Sequence, residues 1–263
     1  MSLTFGGATS DRVDCGSGSS LDDLTTAGFT VWAWVYRTGT GANQEMVTKD
    51  GSFPSGWDFA VTNDTAEGEL QLFVGYNATQ ASYVTNSSNV IAANTWTFVA
   101  GTFDPAANPQ IRLYLGTLSS LAAESSGYST ATNGVGTIGS DASANLYIGN
   151  LQRATTLAFK GRMGPVGVVN RALSAGELQS LQYNPRMLAG TVGLWMLGDN
   201  GTGTQPDYSG NGNSGTVTGA TQSDNPPLRR WGGRLSVFSP YTTVVAVGGR
   251  SYYFRRRLYG EAA

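Results

Sequence analysis

The sequence predicts an all-β fold, and three observations carry that prediction. The 263 residues include 36 glycines, 12 tyrosines and 6 tryptophans but only two lysines, which suits strands and tight turns and leaves little for long exposed helices. Short runs of alternating apolar residues recur between clusters of Gly, Ser, Asn, Asp and Pro. Only one stretch, Ser174 to Asn184, carries a full set of helix signals. A hydrophobic content of 40% is enough for a real core, and sandwiches of this length fold as single units.

Taken in order, Leu3 to Phe5 and Arg12 to Cys15 read as short opening strands joined by the Gly6-Gly7 turn. Phe29 to Tyr36 is the strongest strand: Phe29, Val31, Ala33 and Val35 fall on one face and Thr30, Trp32, Trp34 and Tyr36 on the other, so both faces should be covered. Gln44 to Thr48 and Trp57 to Thr62 follow, separated by a turn-rich insert with a proline and two glycines. Glu69 to Gly75 sets Leu70, Leu72 and Val74 against Gln71 and Phe73, the pattern of a half-buried strand. Thr95 to Phe103 ends at Asp104-Pro105 and pairs across that loop with Ile111 to Leu115. Ser119 to Ser143 reads as a surface loop, and Asn145 to Gly149 as a short strand.

Gly161 to Asn170 is an apolar strand interrupted by Gly164 and Gly167, as where a strand bends or another chain segment comes close. The helix follows at once. Ser174 and Glu177 form a capping box, Leu173 and Leu178 a hydrophobic staple, and Asn184-Pro185 the stop. A helix this short needs a sheet to lie on. Val192 to Leu197 and Gly215 to Thr218 are the last strands of the body, with the turn run Asp207 to Asn213 between them. Asp224-Asn-Pro-Pro227 marks a domain boundary, giving a body over 1–227 and a tail over 228–263.

The net charge of −2 hides a contrast: −8 through Leu228 and +6 beyond it. Cys15 is the lone cysteine and there is no histidine, which excludes an intrachain disulfide, a thiolate zinc site, a Ser-His-Asp triad and a Cys-His pair. The first residues show no basic stretch followed by an apolar run, so no export signal is expected. No segment approaches the roughly 18 apolar residues of a membrane helix, and no membrane partner is expected.

Together these pieces resemble the laminin-G-like branch of the concanavalin A-like jelly-roll superfamily over roughly Ser2 to Pro227. The resemblance rests on Leu3-Thr-Phe-Gly with Asp11-Arg-Val-Asp14, Phe29 to Val35, Trp96 to Asp104, Arg112 to Gly116, Leu146 to Gly149 and Gly161 to Leu178. It implies two antiparallel sheets packed face to face, with one short helix near 174–184. In many relatives a segment like Val192 to Trp195 with Asp207 to Val217 precedes this core. Here it follows, an order similar to that of virion-associated proteins of tailed bacteriophages.

The resemblance also implies candidate sites. Trp32, Trp34 and Tyr36 could line a sugar-binding face, or they could be core between sheet and helix. Calcium is an optional ligand in the family and no cofactor is required; Asp207, Asn211 and Asn213, or Asp50 with Asp58, could hold it, unless the first set simply caps its own turn. The six glutamates form no acidic cluster of the kind glucanase relatives carry along one strand, so no enzymatic activity is expected. The tail interleaves arginine with aromatic rings at Arg229, Arg230, Trp231, Arg234, Tyr252, Tyr253, Phe254, Arg255, Arg256, Arg257 and Tyr259, a composition suited to an interface with another subunit. Self-docking of the tail on the acidic body is the next reading, and nucleic acid is not an expected partner. The expected function is therefore a structural protein of a phage particle, as capsid decoration or tail-associated, homo-oligomeric and assembled in the host cytoplasm. The alternative is a carbohydrate-binding module or adhesin for surface glycans, with or without calcium.

Overall fold

The computed structural model describes the chain except residues 40–42, 51–53, 63–67, 87–89, 154, 225–226, 232–233, 238–245, 248–249 and 252–263; the side chains of residue 155 and of the strands beyond 227 are also outside the described residues. The strands are β1 (Ser2–Gly6), β2 (Arg12–Asp14), β3 (Phe29–Arg37), β4 (Gln44–Lys49), β5 (Trp57–Thr62), β6 (Glu69–Val74), β7 (Ala81–Thr85), β8 (Trp96–Phe103), β9 (Ile111–Thr117) and β10 (Ala123–Glu124). They continue with β11 (Tyr128–Thr132), β12 (Tyr147–Ile148), β13 (Lys160–Val169), the helix α1 (Ala175–Tyr183), β14 (Thr191–Met196), β15 (Thr216–Thr218) and β16 (Thr221–Ser223). Two hairpins follow among the described residues, β17 (Leu228–Trp231) with β18 (Arg234–Val237) and β19 (Ala246–Val247) with β20 (Arg250–Ser251).

Two eight-stranded sheets form the body. The first runs β10-β9-β8-β3-β13-β1-β16, with β14 also paired to β13, and the second runs β11-β7-β6-β5-β4-β12-β2-β15. Every strand pair is antiparallel. Between the sheets lies one apolar cluster built from alternate residues of each strand, including Val31, Trp57, Phe59, Leu72, Phe103 and Trp195. This is the jelly-roll sandwich of the expected class. Among the described residues, the hairpins after residue 227 pair only within themselves and extend neither sheet.

The central strand β3 is covered on both faces, as its sequence demands. Its Val31 face enters the main core, while Trp32 and Trp34 join a second cluster with Phe98, Leu178, Leu181 and Leu194 under α1. The helix begins as read: Ser174 Oγ accepts from the Glu177 amide and Glu177 reaches back to the Ser174 amide. Gln182, near its far end, accepts from Ala122 N at 2.7 Å and donates to Thr117 O and Ser120 O at 2.7 Å each, which ties the helix to the β9-β10 turn.

Strand β13 is where three partners meet. One edge pairs with β3, while the other pairs with β1 over Lys160 to Met163 and with β14 over Pro165 to Val169. A register shift between Met163 and Val166 makes the division possible. Gly167 gives Trp32 its room, since a Cβ there would sit 2.4 Å from the indole. Sequence reading placed no strand at Ala81 to Thr85 and took 119–143 as loop, whereas β7, β10 and β11 belong to the sheets. β10 and β11 are exposed edge strands, and their short polar runs bury too little to show apolar alternation.

Candidate functional site

Two of the three residues expected to line a sugar-binding face do not reach solvent. Trp32 is 1% and Trp34 0% exposed. Trp34 Nε1 donates to the Gln182 carbonyl oxygen at 2.8 Å, and Phe98 packs against both rings at about 6 Å between centroids. α1 covers them, so these two belong to the core. Tyr36 is half-buried between Trp96 and the Arg162 guanidinium, which lies 4.8 Å from its ring centre.

The calcium set Asp207, Asn211 and Asn213 comes together in one turn, where its side chains are engaged with the backbone. Asp207 Oδ1 accepts from Leu194 N and Ser209 N, and Oδ2 from Ser209 Oγ and Asn213 N. Asn211 and Asn213 donate to the Val192 carbonyl, and Asn213 O receives Trp195 Nε1 at 2.7 Å. All three side chains serve the turn that fastens this loop to β14, which is Asx-turn chemistry. Of the tail residues, Arg229, Arg230, Trp231 and Arg234 fall on β17 and β18, with side chains outside the described residues; Tyr252, Tyr253, Phe254, Arg255, Arg256, Arg257 and Tyr259 lie outside them altogether.

The second sheet supplies a different site on the face it turns away from the core. Because Trp57, Phe59 and Val61 point inward, Asp58, Ala60 and Thr62 point out, and the same alternation sets Phe73, Ser82 and Tyr147 on the outer face. One row of directly opposed residues crosses the strands: Ser82, Phe73, Asp58, Thr48, Tyr147 and Asp14. Phe73 and Tyr147 are half-buried, each with part of its ring at the surface. Three strand spacings separate them, or about 14 Å. Beside Tyr147, the Arg12 guanidinium lies 5.3 Å from the ring centre, and Asp14 accepts from Asn145 Nδ2.

Between the two rings sits a charged knot. Arg153 donates from Nε to Asp50 Oδ2 at 2.7 Å and from Nη2 to Asp58 Oδ2 at 3.0 Å. The arginine side chain is 42% exposed, while the aspartates beneath it are 4% and 9% exposed. Glu45, opposite Ala60, is buried with them. Glu45 Oε2, Asp50 Oδ1 and Asp58 Oδ1 are all buried and lack a hydrogen-bond partner among the described residues. Burial pushes the Glu45 carboxyl up to about 7, against the pull of Arg153 and with a push from Asp50. Burial also holds Asp58 well above the usual carboxylate range, helped by the charges of Glu45 and Asp50.

Asp50 and Asp58, paired in sequence as an alternative calcium set, do come together, but around a guanidinium. Glu45 and Arg153 were missed. The missing signal is the hairpin itself: a register shift between Glu45 and Val47 lets Glu45 face outward while Val47 faces the core, against strict alternation. Chemically, the face offers two ring surfaces and a half-exposed guanidinium. The free carboxylate oxygens of Glu45, Asp50 and Asp58 lie buried beneath that guanidinium.

Comparison with known proteins agrees with this architecture. The family model described as the concanavalin A-like lectin/glucanases superfamily matches residues 7–179. Among solved structures, a candidate carbohydrate-binding protein of Bacteroides ovatus ATCC 8483 superposes with a TM-score of 0.53 at 17% identity, covering 82% of this chain and 61% of that one. The chain thus spans less than two thirds of that protein. A heptameric SAP-like pentraxin of Limulus polyphemus aligns at TM-score 0.46 and 11% identity over 68% of this chain and 80% of its own. Domain 4 of AbnA, an arabinanase of Geobacillus stearothermophilus in complex with arabinotriose, aligns at 0.43 and 18% over 68% and 75%. No curated protein matches. With its two antiparallel sheets, its capped helix on the outer side of one of them and a matched core of 7–179, the chain belongs to the concanavalin A-like lectin/glucanase superfamily.

Proposed function

We propose that the chain is a carbohydrate-binding module whose ligand lies across the outer face of the second sheet. The row carrying Phe73 and Tyr147, with Arg153 held between them, is the observation that carries this reading. Flat rings about 14 Å apart suit the apolar faces of a short oligosaccharide, and a guanidinium braced by two carboxylates offers fixed donors to its hydroxyls. The family match supports it, as does a fold neighbour described as a candidate carbohydrate-binding protein. Binding without chemistry suits carboxylates whose free oxygens are buried.

Calorimetric titration with a panel of oligosaccharides tests the proposal. Phe73→Ala and Tyr147→Ala should each weaken binding about tenfold, the loss of roughly 1.4 kcal/mol at an anchoring aromatic, while the domain stays folded. Unchanged affinity in both variants would overturn it. A structural role in a virion, with 228–263 docking on another subunit of an oligomer, rests on the charge contrast and on two hairpins that join neither sheet. Deleting 228–263 separates the two roles, because glycan binding by the sheet should survive it.

A further inference from the structure

The outer side of the first sheet is only partly covered by α1. The helix lies over Trp34 and Phe98, which leaves the ends of β8 and β9 open beside the loop that joins them. There the loop after Phe103 and the residues before the helix enclose a cleft of about 350 Å³. Its size is near the lower end of small-molecule sites.

The groups around the cleft are of opposite kinds. Thr102 and Arg112 are directly opposed on β8 and β9, and Tyr114 shares their face two residues along. Thr102 and Tyr114 are 4% and 5% exposed and, with Leu173 at 4%, make a packed lining. Arg112 donates from Nη1 to both oxygens of Glu124 at 3.0 Å, which fixes its plane and leaves Nε and Nη2 uncommitted among the described residues. Asp104 accepts from Ala106 N at Oδ1, 2.9 Å away, which leaves Oδ2 uncommitted among the described residues. Ala107 and Pro109 add an apolar wall.

We infer that this cleft is a second ligand site, one that takes a single neutral sugar ring. One unspent carboxylate oxygen and one unspent edge of a guanidinium offer an acceptor and donors for neighbouring hydroxyls. With Glu124 held on Arg112, the charges around the cleft sum to −1 and turn away a net anion, while the matched donors and acceptor suit the hydroxyls of a neutral ring. Tyr114, Leu173 and Ala107 suit the C–H face of the ring. The site lies on the opposite sheet from the Phe73–Tyr147 row, so the two can be filled independently, and a molecule with both engaged would bridge two glycans.

The test is an amide-resonance titration of the full-length, isotopically labelled chain with glucose, galactose, arabinose and N-acetylglucosamine separately. At least one sugar should shift resonances of residues 102–114 and 172–174 saturably at millimolar concentration. Asp104→Ala and Arg112→Ala should each weaken that response at least tenfold. Ala107→Phe, which fills the cleft without altering charge, should abolish it, and all three variants should keep the dispersed spectrum of the folded chain. Phe73→Ala/Tyr147→Ala should leave the response unchanged, so the sheet-face proposal and this one can fail separately. No saturable shift at 102–114 with any of the four sugars, or shifts that survive all three cleft variants, would overturn the site. Glycine tested as a zwitterionic probe, shifting the same residues more strongly than every sugar, would overturn the ligand class.

Discussion

Glu45→Gln should make the protein more stable in alkaline solution and leave it unaltered in acid. Glu45 is 6% exposed, and burial lifts its carboxyl from 4.5 to about 7. At about 1.4 kcal/mol per pH unit, ionising it inside the fold costs about 3 kcal/mol relative to ionising it in the unfolded chain. Below pH 4.5 both states hold the proton and the group contributes nothing. Between pH 4.5 and 7 the unfolded chain releases it while the folded chain keeps it, so stability falls as pH rises. Above 7 the whole cost is present. Asp58, shifted in the same direction, steepens the fall. Glutamine keeps the shape without the charge, and Arg153 keeps both of its aspartates. Urea denaturation at pH 4.5 and pH 8 should therefore show the variant ahead by up to about 3 kcal/mol at pH 8 and level at pH 4.5. An equal difference at the two pH values, or a variant that is weaker at pH 8, would refute the reasoning.

Three further predictions concern the helix. Trp34→Ala should destabilise by about 3–5 kcal/mol in urea denaturation, because it opens a cavity under α1 and orphans the Gln182 carbonyl; Phe73→Ala, half-exposed, should cost much less. Ser174→Ala should cost about 1 kcal/mol through the lost cap. Glu177 should titrate at about 2 by side-chain NMR, held down by Arg171 and the Ser174 amide, so its stabilisation is complete above 4.5 and is lost as pH falls toward 2.

The parts legible in the sequence were those with local causes. The double alternation of Phe29 to Tyr36 announces a strand covered on both sides, and Ser174 with Glu177 marks where the helix starts. Gly164 and Gly167 announce crowding, which turns out to be Pro227 and the Trp32 ring. The site was not legible, for two reasons. Tryptophans on the polar-looking face of β3 invite a sugar-binding reading, because the short helix that covers them comes about 140 residues later and its contacts leave no mark near Trp32. The carboxylate knot joins Glu45, Asp50 and Asp58 with an arginine about 100 residues away, and its geometry depends on a register shift that breaks alternation at Glu45. The outer-face row needs the strand order of the second sheet, in which β12 inserts between β4 and β2.

The divided edge of β13 bears on how the chain is made. β1 is synthesised well before its two neighbours, β13 and β16, whose residues follow roughly 160 and 220 positions later. The first sheet therefore cannot be completed until nearly the whole body has been synthesised, and such long-range pairing is slow and exposed to wrong partners. A chain stopped at 179, where the family match ends, would have β1 to pair with Lys160 to Met163 but nothing to pair with Pro165 to Val169. That half-strand would be an open edge of Pro-Val-Gly-Val-Val, ready to seize another molecule. In this chain the segment after the helix is the seam: β14 covers that half of β13 and closes the edge.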